Sequence, residues 1–275
     1  MLRTTAPDPF HWAPTLDQHL VQLANDLADT AGTVIKPYFR TPLPTEQKHD
    51  LSPVTQADRA AEQAMRALIA TREPTHAIHG EEFGLENPHS PWRWVLDPID
   101  GTRAFITGRP LFGTLIGLLH EGRPILGIID QPITGERWLG IAGQKTTFRG
   151  PLGGSPGTRM CPTLADAELS ATSPELLGDD GLARFQHLAT ATRRVTWGGD
   201  CYAYGLLALG HIDIIAERGL KLWDWAALVP IVQGAGGSMT DWQGQPLRED
   251  GPGDALALGD PALLPQAVAR LAAPP

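Results

Sequence analysis

This sequence predicts an α/β (α+β) protein in two halves. Strand and helix patterns alternate through its C-terminal part, which argues a sheet flanked by helices. The N-terminal part instead opens on two helical patterns and continues as a run of strands. Residues 149–163, dense in Gly and Pro, separate the two and read as a connecting loop. The expected organisation is a flexible tail over 1–14, an α+β half over 15–150 and an α/β half over 151–275. At 275 residues and 42% hydrophobic content, the chain can bury a large core.

Taken in order, Leu16, Leu20, Leu23, Leu27, Ala31, Val34, Ile35 and Tyr38 recur every three or four residues. That is the spacing of a long amphipathic helix, which Pro37 kinks or ends. Thr41 to Ser52 reads as a polar loop. A second helix follows with Ala61, Ala64, Met65, Leu68 and Ile69 on its apolar face. Thr55-Gln56-Ala57-Asp58 is similar to a capping box at its start. Ala77-Ile78-His79 is a short apolar stretch, and Trp94-Val95-Leu96 a buried strand ending at Asp97. Phe112–Leu119 and Pro124–Asp130, joined by His120-Glu121-Gly122-Arg123, form a hairpin pattern. Another strand runs through Glu136–Gly140. Beyond the connecting loop come a strand at Leu169–Thr172, a helix from Gly181 to Thr192 and a strand at Arg194–Trp197. A helix near Tyr202–Leu209, a strand at Ile212–Ala216 and a helix from Trp225 to Gln233 complete the pattern.

Composition excludes several functions. No run approaches the ~18 apolar residues of a membrane span. Met1–Pro9 lacks a charged-then-apolar leader and reads as a frayed tail. Cys161 and Cys201 give neither metal spacing nor a disulfide framework, which suits a reducing cytoplasm. A net charge of −9 without a Lys/Arg run argues against a nucleic-acid partner. Gly153-Gly154-Ser155-Pro156-Gly157 matches a nucleophile-elbow pattern but lacks the strand before it and the helix after it. Gly234-Ala235-Gly236-Gly237 follows a helix and reads as its C-terminal cap. His76 and His79 would face opposite sides of a strand, which excludes a shared zinc.

The chemistry concentrates in Asp97-Pro98-Ile99-Asp100-Gly101-Thr102-Arg103-Ala104. Two carboxylates three residues apart, with Gly-Thr opening the next element, suit a hard cation beside a phosphate. The amides of Gly101 and Thr102 would lie at a helix start, where N–H groups attract an anion. Alternatively, Asp97 and Asp100 cap a polar turn. Two further acidic clusters weigh in: Gly80-Glu81-Glu82-Phe83-Gly84, and Leu222-Trp223-Asp224-Trp225-Ala226-Ala227, where an acid opens an apolar helix. Carboxylates at three separate element ends are the layout of a metal-assisted phosphoryl site. Bound cations also reconcile an acidic protein with an anionic substrate.

On these segments the chain resembles the inositol monophosphatase superfamily of Mg²⁺-dependent, lithium-sensitive phosphatases. The D-P-I-D-G-T segment, the W-D-x-A-A segment and the G-E-E ahead of them all stand intact and in order. The resemblance covers roughly residues 15 to 260. The extended run Asp100–Leu115, Gly198-Gly199-Asp200-Cys201-Tyr202-Ala203-Tyr204-Gly205 and Ile129-Asp130-Gln131-Pro132 are most similar to the bacterial histidinol-phosphate phosphatase branch. The resemblance implies a layered αβαβα sandwich of the inositol monophosphatase and fructose-1,6-bisphosphatase type, and a homodimer.

It also implies roles. Glu81, Asp97 and the carbonyl of Ile99 would hold one Mg²⁺; Asp97, Asp100 and Asp224 a second; Glu81 again a third, weaker ion. Mn²⁺ is a possible substitute. Thr102 is either a helix N-cap or, with Asp58, a relay that orients and helps deprotonate the attacking water. Gly101 and Thr102 would bind the phosphate. Glu217, seven residues before Asp224, with Asp200 and Arg103, would read the leaving group, although Asp200 could equally be an N-cap. Glu82 is a supporting partner or simply solvated. Two acids suit histidinol, with its amine and imidazole; a polyol needs only hydroxyl partners, and a phosphoadenosine would favour Lys or Arg. The expected activity is hydrolysis of L-histidinol phosphate in histidine biosynthesis. Inositol or sugar phosphates, then 3'-phosphoadenosine 5'-phosphate, are the alternatives. A silent Mg²⁺- or phosphate-binding regulator is the non-enzymatic one.

Overall fold

The computed structural model describes residues 15–42, 45–47 and 53–272. The expected tail over 1–14 lies outside them. Helix α1 spans Gln18–Ile35, with Asp17 accepting the N–H of His19 at its start, and a turn of tighter helix at Lys36–Tyr38 holds Pro37. Strands β1 (Thr45–Gln47) and β2 (Pro53–Thr55) pair antiparallel, so a strand runs where a polar loop was expected. Three polar residues, Thr45-Glu46-Gln47, carry no alternation that would reveal it. Helix α2 spans Gln56–Arg72.

The next strands are β3 (Ala77–Gly80), β4 (Gly84–Glu86) and β5 (Trp92–Asp100). Helix α3 (Thr102–Ile106) follows, then β6 (Gly113–His120), β7 (Arg123–Gln131), β8 (Glu136–Ile141) and β9 (Thr147–Arg149). The hairpin β6–β7 turns at Glu121-Gly122, both in the left-handed region. Irregular chain from 150 leads to β10 (Glu168–Ala171), α4 (Pro174–Ala189), β11 (Arg194–Trp197), α5 (Asp200–Ala208) and β12 (Ile214–Glu217). Helices α6 (Leu222–Trp225) and α7 (Leu228–Gly234), strands β13 (Ser238–Thr240) and β14 (Ala255–Leu258), and helix α8 (Leu264–Ala272) complete the chain.

Five layers result. The order β4-β3-β5-β6-β7-β8-β9 makes a seven-stranded sheet, and β11-β10-β12-β14-β13 a five-stranded one. Leu20, Leu23, Leu27, Ala61, Met65 and Ile69 of α1 and α2 bury against Trp94, Leu96, Leu118 and Ile128 on one face of the larger sheet. Val95, Leu115, Ile129 and Trp138 on its other face meet α5, α6 and α7, which also cover Ile215 and Ala257 of the smaller sheet. Leu177, Phe185, Leu188, Ala267 and Leu271 of α4 and α8 close its far face over Leu169, Ala216 and Leu256. This is the αβαβα sandwich. The core around the middle layer joins Val95, Leu115, Ile129 and Trp138 to residues beyond 200, so the two halves share it.

Several expected bounds shift. Strand β5 runs on to Asp100 instead of ending at Asp97. Asp224 lies inside α6 instead of opening the long helix. Helix α4 begins at Pro174, seven residues before the expected Gly181; the chain leaves helical geometry at Gly178, whose φ of 63° and ψ of 170° divide it.

Candidate metal centre and cleft

Parallel pairing brings the first two acids together. Strands β3 and β5 run parallel with Gly80 opposite Leu96, so Glu81, just past the end of β3, lies beside Asp97 of β5. The N–H of Glu81 donates to the Leu96 carbonyl at 3.1 Å, which fixes that register. Open sheets bind ligands at such carboxyl ends.

A bulge aligns the third acid. Three residues apart on a regular strand, Asp97 and Asp100 would point to opposite faces. Here Asp97 pairs with Leu115 and Asp100 with Gly113, so Pro98 and Ile99 together oppose Thr114. One extra residue reverses the alternation beyond it and returns Asp100 to the side of Asp97. Pro98, without an N–H to give the ladder, suits the bulge. Buried Thr114 pins it by donating to the Pro98 carbonyl at 2.8 Å, and the Asp97 Oδ1 accepts the N–H of Ile99 at 3.1 Å.

Asp224 arrives from the middle layer. Its Oδ2 accepts the N–H of Lys221 at 2.6 Å, and buried Trp225 anchors the short helix. Ala226 and Ala227 then lie directly on the sheet: a Cβ on Gly127 would sit 1.8 Å from the Ala227 carbonyl oxygen. Small residues in the W-D-x-A-A segment therefore set how far Asp224 can approach β5.

One oxygen from each of Asp97, Asp100 and Asp224 falls within 4.8 Å of the others. Burial drives the Asp97 carboxyl well above the usual range, and Glu81, Asp100 and Asp224 push it further. Burial does the same to Asp100, with Asp200 and Asp224 adding to it and the N–H of Cys201, donated to Asp100 Oδ2, opposing it. Acids gathered at mutual cost and offering only oxygen are the donor set of a hard divalent cation. The residues present fit Mg²⁺.

These acids floor a cleft of about 240 Å³, into which Glu81, Ile99, Gly101, Thr102, Arg103 and Glu217 also turn. Gly101, with φ of 91°, is the N-cap of α3, so Thr102 is not; its hydroxyl donates to the Ile99 carbonyl at 3.1 Å. Asp58 is buried on the first turn of α2 and does not line the cleft. Glu82 is not solvated: its side chain is 3% exposed and lies 4.0 Å from Arg59. Arg103, more than half exposed, stands 3.5 Å from Glu175.

The smaller sheet supplies the opposite wall in the same way. Strands β10 and β12 are parallel, and Glu217 at the end of β12 takes both the N–H (2.7 Å) and the hydroxyl (2.8 Å) of Thr172 on Oε1. Burial lifts the Glu217 carboxyl to about 8, against the Thr172 bonds. After β11, Gly198, Gly199 and Asp200 take φ of 93°, 117° and 42° in succession, a turn that only glycine, Asn or Asp enters at little cost. Asp200 opens α5 without capping it, since Gly199 is the N-cap and no side-chain cap bond forms. Its carboxylate instead packs on Gly101, where a Cβ would lie 3.0 Å from it, and burial raises it to about 6 against the pull of Arg103. Thr172, Leu176, Tyr204 and Arg218 line the cleft too and were not foreseen. Tyr204 stands in the quoted Gly198–Gly205 run, but nothing in its spacing separates a cleft tyrosine from a core one.

Comparison with known proteins agrees with this architecture. The family model described as inositol monophosphatase family matches residues 16–271. The chain belongs to the inositol monophosphatase family. Family membership carries phosphomonoesterase chemistry with it. The chain is similar to the bifunctional phosphatase IMPL2, chloroplastic, of Arabidopsis thaliana, at 46% identity over 86% of this chain and 68% of that protein. It is 36% identical to a histidinol-phosphatase of Streptomyces coelicolor, over 82% of this chain and 88% of the other. Among solved structures, an inositol monophosphatase from Zymomonas mobilis superposes with a TM-score of 0.85 at 48% identity, covering 94% of this chain and 100% of that one.

Proposed function

We propose that this family member is a Mg²⁺-dependent phosphatase whose substrate is L-histidinol phosphate. The observation that carries the substrate is the wall opposite the metal set. Partly buried Asp200 and buried Glu217 face a cleft that also holds Glu81, Asp97, Asp100 and Asp224. Carboxylates beyond those the cations need suit a leaving group that brings its own positive charge, as an amine or imidazole does. Glu217 keeps Oε2 for that purpose, since both Thr172 bonds fall on Oε1. Histidinol-phosphatases among the relatives support the same reading.

Glu81, Asp97, the Ile99 carbonyl, Asp100 and Asp224 would hold two to three ions. When bound, such ions supply a water deprotonated at neutral pH and relief of charge on the leaving oxygen. The chain does the rest. The first-turn amides around Gly101 and Thr102 have no intrahelical acceptor and are available to phosphate oxygens. Thr102 would orient the attacking water through its hydroxyl, which donates to the Ile99 carbonyl in this structure; a relay would need that hydroxyl to give up this bond for Asp58. Asp200, against Gly101, places the leaving group beside the phosphate.

Release of phosphate from histidinol phosphate, inositol 1-phosphate, a sugar phosphate and 3'-phosphoadenosine 5'-phosphate, with and without Mg²⁺, tests the reading. Histidinol phosphate is expected to give the highest kcat/KM, and only with Mg²⁺. A preference for inositol 1-phosphate would favour the second reading, which the 48% identical Zymomonas mobilis protein supports. Lithium, close to Mg²⁺ in size with half its charge, is expected to inhibit at the Asp100/Asp224 position. Equal rates in excess LiCl and KCl would remove that expectation.

A further inference from the structure

A carboxylate with no part in the cleft grips the turn that carries Glu81. Glu62 is fully buried on α2 and does not line the cleft. Its Oε2 accepts the N–H of Glu82 at 2.8 Å, and its Oε1 that of Phe83 at 3.2 Å. Oε1 also takes the Nε–H of Arg66 at 2.7 Å, and Arg66 donates in turn to the Gly84 carbonyl. A buried charge is tolerated when paired and hydrogen-bonded in this way. Gly80 presses on the same group: a Cβ there would fall 1.9 Å from Glu62 Oε1. Glu81 is therefore held from two sides. Its own N–H is tied to Leu96, the neighbour of Asp97, and the next two N–H groups are tied to Glu62.

We propose that Glu62 is a positioning residue for the cation site: its clamp on the Glu82 and Phe83 amides sets the reach of the Glu81 carboxylate toward Asp97. The inference rests on Glu81 being a ligand. An amide at 62 keeps the volume but turns one acceptor into a donor facing Arg66 or the turn amides, so the clamp opens. A residue that supports a ligand in this way typically governs about ten- to hundredfold in metal affinity.

Titration of the substrate-free protein with Mn²⁺, followed by electron paramagnetic resonance, separates positioning from mere support of the fold. Glu62→Gln is expected to weaken about tenfold or more whatever ions Glu81 holds, leave the ion of Asp100 and Asp224 unchanged, and reproduce Glu81→Gln. In the double variant the two losses should not add, because they act through one carboxylate. Phosphate release should show the same shift in the Mg²⁺ needed for half-activation. An unchanged Mn²⁺ isotherm in folded Glu62→Gln, or losses that add, would overturn the proposal. Should Glu62→Gln fail to fold, Gly80→Ala presses on the same carboxylate and is expected to weaken the same ions; a wild-type isotherm there overturns the proposal equally. Wild-type protein that binds no Mn²⁺ would instead remove the metal reading, and this inference with it.

Discussion

An amide in place of the Asp97 carboxylate removes charge from the centre of the acid cluster and keeps its shape. Asp97→Asn is expected to nearly abolish phosphate release while the fold persists, because an amide cannot replace a carboxylate shared between two cations. Wild-type turnover at saturating Mg²⁺ would defeat the bridging role. Asp224→Asn is expected to weaken one ion and to recover in part at raised Mg²⁺; a rate indifferent to Mg²⁺ would count against that placement. The substrate acids make a separate test. Asp200→Asn or Glu217→Gln should raise KM for histidinol phosphate far more than for a neutral polyol phosphate. A hydrogen bond to a charged group is worth ~1.5–3 kcal/mol, roughly ten- to hundredfold in KM. Equal losses on both substrates would show that these acids serve the fold or the ions.

At the scale of elements, the close approach of the middle layer to the large sheet fixes Asp224. Gly127→Ala would drive a methyl group into the Ala227 carbonyl, so α7 must retreat and carry α6 with it. Overpacking of this kind costs about 1–3 kcal/mol, and the variant is expected to melt earlier and to need more Mg²⁺ for half-activation. A lower melting temperature with unchanged Mg²⁺ dependence would show that Asp224 is held independently of that contact. The same elements show what the sequence made legible. Helices α1 and α2 and the hairpin β6–β7 were readable because one buried face imposes a period on many residues. Strands β1, β4 and β13 were not, being three residues each, too short for alternation to register. The acids of the cleft were readable as motifs, but the bulge that turns Asp97 and Asp100 together was overlooked. Its signal was present in Pro98, a residue that rarely sits in a strand interior except at a bulge. The Glu62 clamp left no such trace, because a glutamate at helical spacing from Arg66 reads as an ordinary surface pair.

For the whole molecule, the acids couple stability to pH and to metal. The folded-state values of Asp97 and Asp100 are raised, Asp200 stands at about 6 and Glu217 at about 8. Between pH 4 and 8 the metal-free native state therefore retains protons that the unfolded chain has released. Stability must fall as pH rises wherever the native state binds more protons. His76 and His79, held below 6.5 chiefly by burial, act the other way, since their unfolded forms take up protons that the native state refuses. Comparing each variant with wild type cancels that contribution. In EDTA, Glu217→Gln is expected to gain melting temperature over wild type progressively from pH 5 to pH 8, and Asp97→Asn to gain as pH rises above the ordinary carboxylate range. Mg²⁺ should reverse the order for Asp97→Asn alone, because an ion bound only by the native state stabilises it by ~2.7 kcal/mol at a hundredfold excess over Kd. Cations and protons compete for the same oxygens, so the Mg²⁺-induced rise in wild type should be larger at pH 8 than at pH 5. A Mg²⁺ shift independent of pH, and equal in wild type and Asp97→Asn, would place the ion elsewhere than in this cluster.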